Sequence, residues 1–275
     1  MSEGIVAKLD DARIVYFVGG TDTGKTTLIG ELARTLSVRK PVALLDLDVG
    51  QSHIGPPTTL GLSVLEEPFT TWEDAPTTRL YFVGSTSPDR HLLQTVAGAR
   101  LLLDECAGRT VLVDSPGYVL GGPAEALQAH LIELLRPDCV VAIATSDELA
   151  PILRRFERLA TPRIVRLKPS DKIVKKTPEQ RAQYRRQCYA RYFRGSRLVR
   201  IGLDTVVLIP GCTEIAKSLV GLRTETGRDE AVGIVEASDP AVRQLLVRTP
   251  LPGGISVRVI LGGSIRLDEE YGEIW

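Results

Sequence analysis

Apolar and polar residues alternate along the first two-thirds of the chain in a pattern that predicts strands separated by helices. Short apolar runs typical of buried strands cover residues 13–19, 41–48, 79–84, 109–115, 138–144 and 163–168. Stretches with helical periodicity lie between several of these runs, near residues 25–38, 89–107, 122–136 and 147–160. Because strands that alternate with helices usually pair in parallel, we predict an α/β fold with a mostly parallel sheet flanked by helices.

The last third of the chain has a different character. A further helix is predicted after Thr177, which can cap the first turn, since Pro178 suits that turn and Gln180 completes a capping box. Beyond about residue 197 the apolar runs become short and are separated by Gly, Pro and Asp, which favours a small β-rich domain. We therefore predict two domains, with the sheet and this helix in residues 1–196 and the β-rich part in residues 197–275.

The composition is that of an ordinary folded protein. The chain has 275 residues, of which 43% are hydrophobic and 25% are charged. No apolar run reaches the roughly 18 residues that a membrane span requires, and the first residues do not predict a signal peptide. The four cysteines are scattered without a CxxC pair, which indicates reduced thiols. We expect a cytoplasmic protein without membrane contact.

A phosphate-binding motif joins the first predicted strand to the first predicted helix. Residues 19–27 read GGTDTGKTT and match the pattern GxxxxGK followed by Ser or Thr, in the strand-to-helix context that the motif requires. Backbone N–H groups of such a loop surround a phosphate, Lys25 neutralises its oxygens, and Thr26 offers a hydroxyl to Mg²⁺. We predict a P-loop NTPase fold whose nucleotide is bound by Gly20, Thr21, Asp22, Thr23, Gly24, Lys25, Thr26 and Thr27.

Acidic residues close two of the predicted strands. Asp46 and Asp48 end the second run, and residues two apart on a strand point to the same side. Asp114 ends the fourth run, as an aspartate linked to Mg²⁺ would. One of Asp46 and Asp48 would hold the metal and the other would take a proton from an attacking hydroxyl, an assignment that the pattern leaves open. Gln51 would position the nucleophile or a metal-bound water.

The stretch after Asp114 is predicted to form an exposed loop that contains Ser115, Gly117 and Tyr118. An aromatic face can stack on a base of a single-stranded nucleic acid. The alternative, that Tyr118 covers an edge of the core, is equally compatible with the residues. His53 follows the acidic pair and can either contact a phosphate or remain solvated.

Basic residues are concentrated in one segment although the net charge is zero. Residues 163–200 contain 13 Lys and Arg residues against two acids, which indicates an anionic partner. On the helix after Pro178, Arg181 and Arg185 lie four residues apart and share a face, with Arg186 beside them. A solvated helix face is the alternative, but such a face usually carries more acids. We interpret the helix as a lid that delivers arginines to the transferred phosphate.

Together these motifs resemble the polynucleotide 5′-hydroxyl kinase family, which phosphorylates RNA ends in tRNA and rRNA processing. The resemblance covers roughly residues 13–260. The matching motifs are a phosphate loop, a DxDxxQ box, a clasp loop that holds the RNA 5′ end and an RxxxR arginine lid, carried here by residues 19–27, 46–51, 115–118 and 181–185. The clasp differs from the family pattern, since Ser replaces Thr and Tyr replaces the more usual Trp.

The resemblance implies an enzyme that transfers the γ-phosphate of ATP to the 5′-hydroxyl of a single-stranded nucleic acid. RNA is the expected substrate, and the sequence leaves DNA open as a second one. Its catalytic residues would be Lys25, Asp48, Gln51, Arg181 and Arg185. Its Mg²⁺ ligands would be Thr26, Asp46 and Asp114. Its substrate-binding residues would be Ser115, Gly117, Tyr118, His53 and Arg186. It would be a minimal, prokaryotic-type member that acts in RNA processing.

Two other classes of protein are compatible with parts of the sequence. A partner-regulated P-loop ATPase or GTPase shares the phosphate loop, and the DSPG segment at 114–117 matches a GTPase switch. Guanine selection, however, normally uses an NKxD or TKxD segment, and the chain has no Asn and a KxD only at 8–10. A non-catalytic RNA-binding scaffold is a further alternative that the sequence leaves open.

Overall fold

The structure is a computed structural model and describes residues 2–9, 11–171, 173–209, 215–239 and 241–274. The helices are α1 (Ser2–Leu9), α2 (Lys25–Leu36), α3 (Leu92–Asp104), α4 (Gly122–Leu135), α5 (Ala150–Leu153) and α6 (Pro178–Tyr192). The strands are β1 (Ile14–Val18), β2 (Val42–Asp46), β3 (Thr59–Leu65), β4 (Arg79–Phe82), β5 (Thr110–Asp114), β6 (Cys139–Ile143), β7 (Arg163–Leu167), β8 (Arg197–Gly202), β9 (Val207–Ile209), β10 (Ser218–Thr224), β11 (Asp229–Asp239), β12 (Gln244–Thr249), β13 (Val257–Leu267) and β14 (Glu273–Ile274). No helix in the described ranges combines the length and the apolar character needed to cross a membrane.

The chain divides into two compact units. The first unit contains the described residues up to Asp48, then Leu60–Thr78 and Pro88–Lys176. The second contains Val49–Thr59, Arg79–Ser87 and the described residues from Thr177 onward. This division differs from the boundary predicted at residue 196, because α6 belongs to the second unit.

The sheet of the first unit has the strand order β3-β2-β5-β1-β6-β7. The pairs β2–β5, β5–β1, β1–β6 and β6–β7 are parallel, as predicted. Strand β3, which the pattern did not reveal, lies antiparallel to β2. Strands β2, β5 and β6 are buried along their whole length, as expected for strands that are covered on both faces. The phosphate loop therefore leaves the carboxyl end of a central strand.

Two predicted elements differ from the structure. The run at 79–84 was expected in the parallel sheet, whereas β4 belongs to the second unit and pairs antiparallel with β11. The buried carboxylate of Asp229 on β11 accepts a hydrogen bond from the Phe82 N–H at 2.8 Å, which fixes this pairing. The helix expected over 147–160 is reduced to the single turn of α5 after a 3₁₀ turn.

The second unit is built around antiparallel strands in the order β14-β13-β10-β11-β4. Strand β12 pairs with β11 and β8, and β9 runs parallel to β13. Helix α6 buries Tyr189 and Phe193 in a cluster with Leu219, Val232 and Ile265 of this sheet. The Val232 N–H also donates a hydrogen bond to the Tyr192 hydroxyl at 2.9 Å. These contacts explain why α6 belongs to the β-rich unit although its sequence follows the parallel sheet.

We expect Phe193→Ala to lower the free energy of unfolding by about 3 kcal/mol, the usual cost of an aromatic cavity in a core. Phe193 is 2% exposed and stacks on Tyr271 with ring centroids 5.9 Å apart. Chemical denaturation of the purified protein measures the effect. The exposed neighbour provides a matched control, since Arg194→Ala should change the value by less than about 0.5 kcal/mol. Equal stability of the two variants would contradict the packing of α6.

Candidate active site

The phosphate loop at residues 19–27 is already folded around the position that a phosphate would take. Gly24 caps α2 in the left-handed conformation with φ 88°, which a residue with a Cβ rarely adopts. Lys25 is buried, and its Nζ donates hydrogen bonds to the carbonyl oxygens of Gly19 at 2.9 Å and Gly20 at 3.0 Å. The amine is therefore held inside the loop and needs only local rearrangement to meet an anion at the start of α2.

A segment just before α6 lies on this loop. The carboxylate of Asp22 accepts a hydrogen bond from the Lys176 N–H at 3.0 Å. A Cβ on Gly24 would meet the Cδ1 atom of Ile173 at 2.9 Å. The phosphate loop is thus tied to residues 173–176 of the basic segment, a contact that the motif alone does not predict.

The Asp114 carboxylate is buried at the end of β5, beside the phosphate loop. Its Oδ2 atom accepts a hydrogen bond from the Thr26 hydroxyl at 2.6 Å. Its Oδ1 atom is buried and has no hydrogen-bond partner among the residues that the structure describes. Burial and, to a smaller extent, the charge of Asp48 raise the pKa of Asp114 to about 6, against the lowering effects of the Lys25 charge and the Thr26 hydrogen bond.

The two aspartates of the DxDxxQ box occupy different kinds of position. Asp46 ends β2 and lies in register with Asp114 on β5. Its carboxylate accepts a hydrogen bond from the Asp48 N–H at 3.0 Å. Asp48 lies past the end of β2. The sequence-based expectation that both carboxylates point to the same side assumed that both residues lie on the strand, so it does not apply here. Asp48 is nevertheless close enough to Asp114 for its charge to act on that carboxyl.

The predicted clasp loop packs directly on the phosphate loop. A Cβ on Gly117 would lie 2.9 Å from the backbone N of Thr21, so only glycine fits at this contact. Tyr118 is half-buried, and the Asp89 carboxylate is close enough to act on its hydroxyl. Partial burial and the Asp89 carboxylate raise the pKa of Tyr118. Ser115 differs from the prediction, because its side chain is fully buried and not directed to solvent.

The remaining residues of the box lie in the second unit. Gln51 is half-buried, and its Nε2 atom donates to the Gly50 carbonyl at 2.9 Å. The buried Ser52 accepts a hydrogen bond on its carbonyl from the Tyr184 hydroxyl at 3.0 Å. The His53 ring lies 5.7 Å from the Tyr184 ring. Loop 49–59 is therefore attached to the arginine helix α6 by a tyrosine that lies between the two arginines of the RxxxR motif.

The arginines of α6 are not equivalent. Arg185 forms two hydrogen bonds with the Glu273 carboxylate, at 2.6 and 2.9 Å, and only 17% and 9% of the two side chains are exposed. Arg186 is bound by the carboxylate and the carbonyl of Glu270. Arg181 lies one turn before Arg185 and is half-buried. No pattern in the basic segment could reveal the two glutamates, because they lie more than 80 residues further along the chain.

Comparison with known proteins agrees with these motifs. Residues 19–195 match the family described as mRNA cleavage and polyadenylation factor CLP1 P-loop. The chain belongs to this family. The predicted P-loop fold, with its mostly parallel sheet, flanking helices and additional C-terminal strands, is thereby confirmed. The solved wild-type Clp1p–Pcf11p complex supports the same fold, with a TM-score of 0.73 at 14% identity over 96% of this chain and 77% of that chain.

Among curated CLP1 P-loop relatives, this chain is similar to archaeal proteins named polyribonucleotide 5′-hydroxyl-kinase. The protein of Pyrococcus abyssi is 34% identical over 198 residues, which cover 70% of this chain and 54% of the relative. The protein of Methanocaldococcus jannaschii is 34% identical over 197 residues, with the same coverage of both chains. The matched part of the chain thus spans about half the length of these relatives.

The raised pKa of Asp114 predicts a specific pH dependence of stability. The folded protein keeps a proton on Asp114 up to pH about 6, whereas the unfolded chain loses it near its ordinary pKa of 3.8. The free energy of unfolding therefore falls as the pH rises through this window, since the charged carboxylate is disfavoured where it is buried. Asp114→Asn should raise the free energy of unfolding at pH 8 by up to about 3 kcal/mol in the absence of nucleotide.

Denaturation at several pH values measures the difference in free energy of unfolding between Asp114→Asn and the unsubstituted protein. This difference should disappear as the pH falls from 6 to 4. Glu67→Gln neutralises an exposed acid and serves as the matched control. A difference between Asp114→Asn and the unsubstituted protein that does not change with pH would contradict the raised pKa.

Proposed function

We propose that the chain is an ATP-dependent polynucleotide 5′-hydroxyl kinase that transfers the γ-phosphate of ATP to the 5′-hydroxyl of single-stranded RNA. The observation that carries the proposal is the contact between Gly117 and Thr21, which joins a loop with an accessible aromatic ring to the phosphate loop. A kinase for chain ends needs such an acceptor loop beside its nucleotide. The names of the archaeal relatives support the same activity. RNA processing and a cytoplasmic location remain predictions from the sequence.

The phosphate loop would bind the phosphates of ATP. Lys25 would leave the carbonyl oxygens of Gly19 and Gly20 and donate to the β- and γ-phosphate oxygens. The unpaired N–H groups at the start of α2 would add a positive dipole end. The tie between Asp22 and Lys176 would hold the loop in the shape that these contacts need.

The acidic residues beside the loop fit a hydrated Mg²⁺ ion. The donors are hard oxygen atoms, and Asp114 has a buried Oδ1 atom that no described residue satisfies. The described residues contain no group of three His, Cys, Asp or Glu side chains that could hold a metal. This agrees with Mg²⁺, which usually takes one or two carboxylates and completes its shell with water and substrate phosphates. Thr26, Asp114 and Asp46 would hold the ion, which neutralises phosphate charge when bound.

Asp48 would act as the general base. The carboxylate of Asp46 is already used to bind the Asp48 N–H, so Asp46 holds the turn on which Asp48 lies. Asp48 would accept the proton of the 5′-hydroxyl as that oxygen attacks the γ-phosphorus. Gln51 would orient the attacking hydroxyl. The ring of Tyr118 would stack on the first base.

The arginines of α6 would stabilise the charge that spreads over the transferred phosphate. The RxxxR motif carries this assignment. Arg185 is engaged by Glu273, which favours an anchoring role for it. Arg181, one turn earlier on the same face, is the other arginine of the motif that would contact phosphate. His53 and Arg186 remain candidates for binding the phosphates of the substrate strand.

A transfer assay tests the proposal. A 5′-hydroxyl oligoribonucleotide is incubated with γ-labelled ATP and Mg²⁺, and label at the 5′ end is measured beside free phosphate. We expect transfer, and we expect Asp48→Asn to reduce kcat by about 10²- to 10⁴-fold, since general-base catalysis supplies a factor of that size. The exposed-acid variant Glu67→Gln should match the unsubstituted protein. Hydrolysis without transfer would favour a nucleotide switch, and RNA binding without either reaction would favour a scaffold.

A second prediction concerns the arginine helix. Arg181→Ala should reduce kcat at least about 100-fold, because an arginine that meets the transition state contributes 10³- to 10⁵-fold in related reactions. Arg191→Ala removes an exposed arginine of the same helix and should leave kcat within about twofold. Arg185→Ala is a less clear test because it also leaves the Glu273 carboxylate without its partner. Equal kcat values for the Arg181 and Arg191 variants would exclude a role of Arg181 in the reaction.

A further inference from the structure

A chain of buried hydrogen bonds lies beneath the clasp loop. Gln128, on α4, is fully buried among apolar residues. Its Oε1 atom accepts a hydrogen bond from the Tyr16 hydroxyl at 2.7 Å. Its Nε2 atom donates to the carbonyl oxygens of Pro116 at 2.9 Å and Tyr118 at 3.0 Å. Both ends of the amide are therefore used.

The chemistry of the partners fixes the orientation of this amide. The two backbone carbonyls can only accept hydrogen bonds, so the NH₂ group must face them. Burial raises the pKa of Tyr16 far above its ordinary value, so its hydroxyl stays protonated and donates to the amide oxygen. A buried amide costs free energy unless it is satisfied, and all three partners of Gln128 lie at normal distances.

The two carbonyls lie on either side of Gly117 in the sequence. Gly117 is the residue that touches Thr21 of the phosphate loop. Gln128 therefore fixes the backbone before and after that contact. The Tyr118 side chain belongs to this held stretch of backbone and is half-buried. The clasp backbone is thus fixed from α4.

We propose that Gln128 is a positioning residue for the polynucleotide 5′ end, which holds the clasp backbone so that the Tyr118 ring stands where the terminal base stacks. Gln128 itself would not touch the substrate. The inference rests on the proposed function because it assumes that the clasp binds a strand end. The residues that the sequence motifs assign to substrate binding lie on loops and on α6. The inference adds a buried residue of α4.

Gln128→Met tests the inference, since methionine has a similar volume and no hydrogen-bond donor. Loss of both bonds should free the clasp and weaken binding of a 3′-fluorescein-labelled 5′-hydroxyl oligoribonucleotide about tenfold or more, measured by fluorescence anisotropy. The KM for ATP should stay within about twofold, because the phosphate loop keeps its own contacts. Gln94→Met changes an exposed glutamine of α3 and should leave both values unchanged.

Two further variants separate positioning from a general loss of structure. In a Tyr118→Ala background the ring is already absent, so Gln128→Met should cause little additional loss of binding. Gln128→Glu should bind the oligonucleotide more tightly at pH 6 than at pH 8 relative to the unsubstituted protein. A protonated carboxyl can still donate one hydrogen bond to a clasp carbonyl, whereas a carboxylate cannot. If Gln128→Met does not fold, the pH response of Gln128→Glu tests whether Gln128 positions the clasp.

The outcomes distinguish the inference from the proposed function. If the unsubstituted protein binds the oligonucleotide but transfers no phosphate, the proposed kinase activity fails and the positioning role can still be measured. If Gln128→Met and Gln128→Glu bind as tightly as the unsubstituted protein at every pH, the positioning role is wrong. Equal losses from Gln128→Met with and without the Tyr118 ring would also overturn it. If the unsubstituted protein does not bind the oligonucleotide, both fail.

Discussion

The arrangement of the first unit depends on a buried carboxylate, Asp114, at the end of a central strand. A buried carboxylate is costly in its charged form, and here the cost is only partly offset by Lys25 and by the Thr26 hydroxyl. The remaining oxygen atom is buried without a hydrogen-bond partner in the described part of the chain. An unsatisfied buried acceptor adds to the free-energy cost of keeping this carboxylate inside the protein.

One strand supplies both halves of the proposed reaction. Strand β5 ends at Asp114 on the nucleotide side, and the chain continues directly into the clasp, whose Gly117 lies against Thr21. The clasp backbone is therefore packed against the phosphate loop. The buried amide of Gln128 holds the clasp backbone through two hydrogen bonds and is itself held by the Tyr16 hydroxyl.

Local motifs were predictable from the sequence, and long-range pairing was not. The phosphate loop and the capping box of α6 are short segments whose residue types determine their own conformation. The partner of β4 could not be predicted, since an apolar run does not reveal whether its strand joins a parallel or an antiparallel neighbour. The single glutamine in the apolar pattern of α4 was the one available signal for Gln128. Its meaning depends on Tyr16, which lies 112 residues away.

The ion pair between Arg185 and Glu273 explains how an arginine-rich helix can keep a defined position. Repulsion among neighbouring cations destabilises such a helix, and a largely buried pair with two parallel hydrogen bonds offsets it at one point. The two hydrogen bonds of the pair offset the free-energy cost of removing both charged groups from water. An arginine anchored in this way fixes the rotation of α6 about its axis. Because of the RxxxR spacing, Arg181 then lies on the anchored face of the helix, one turn before Arg185.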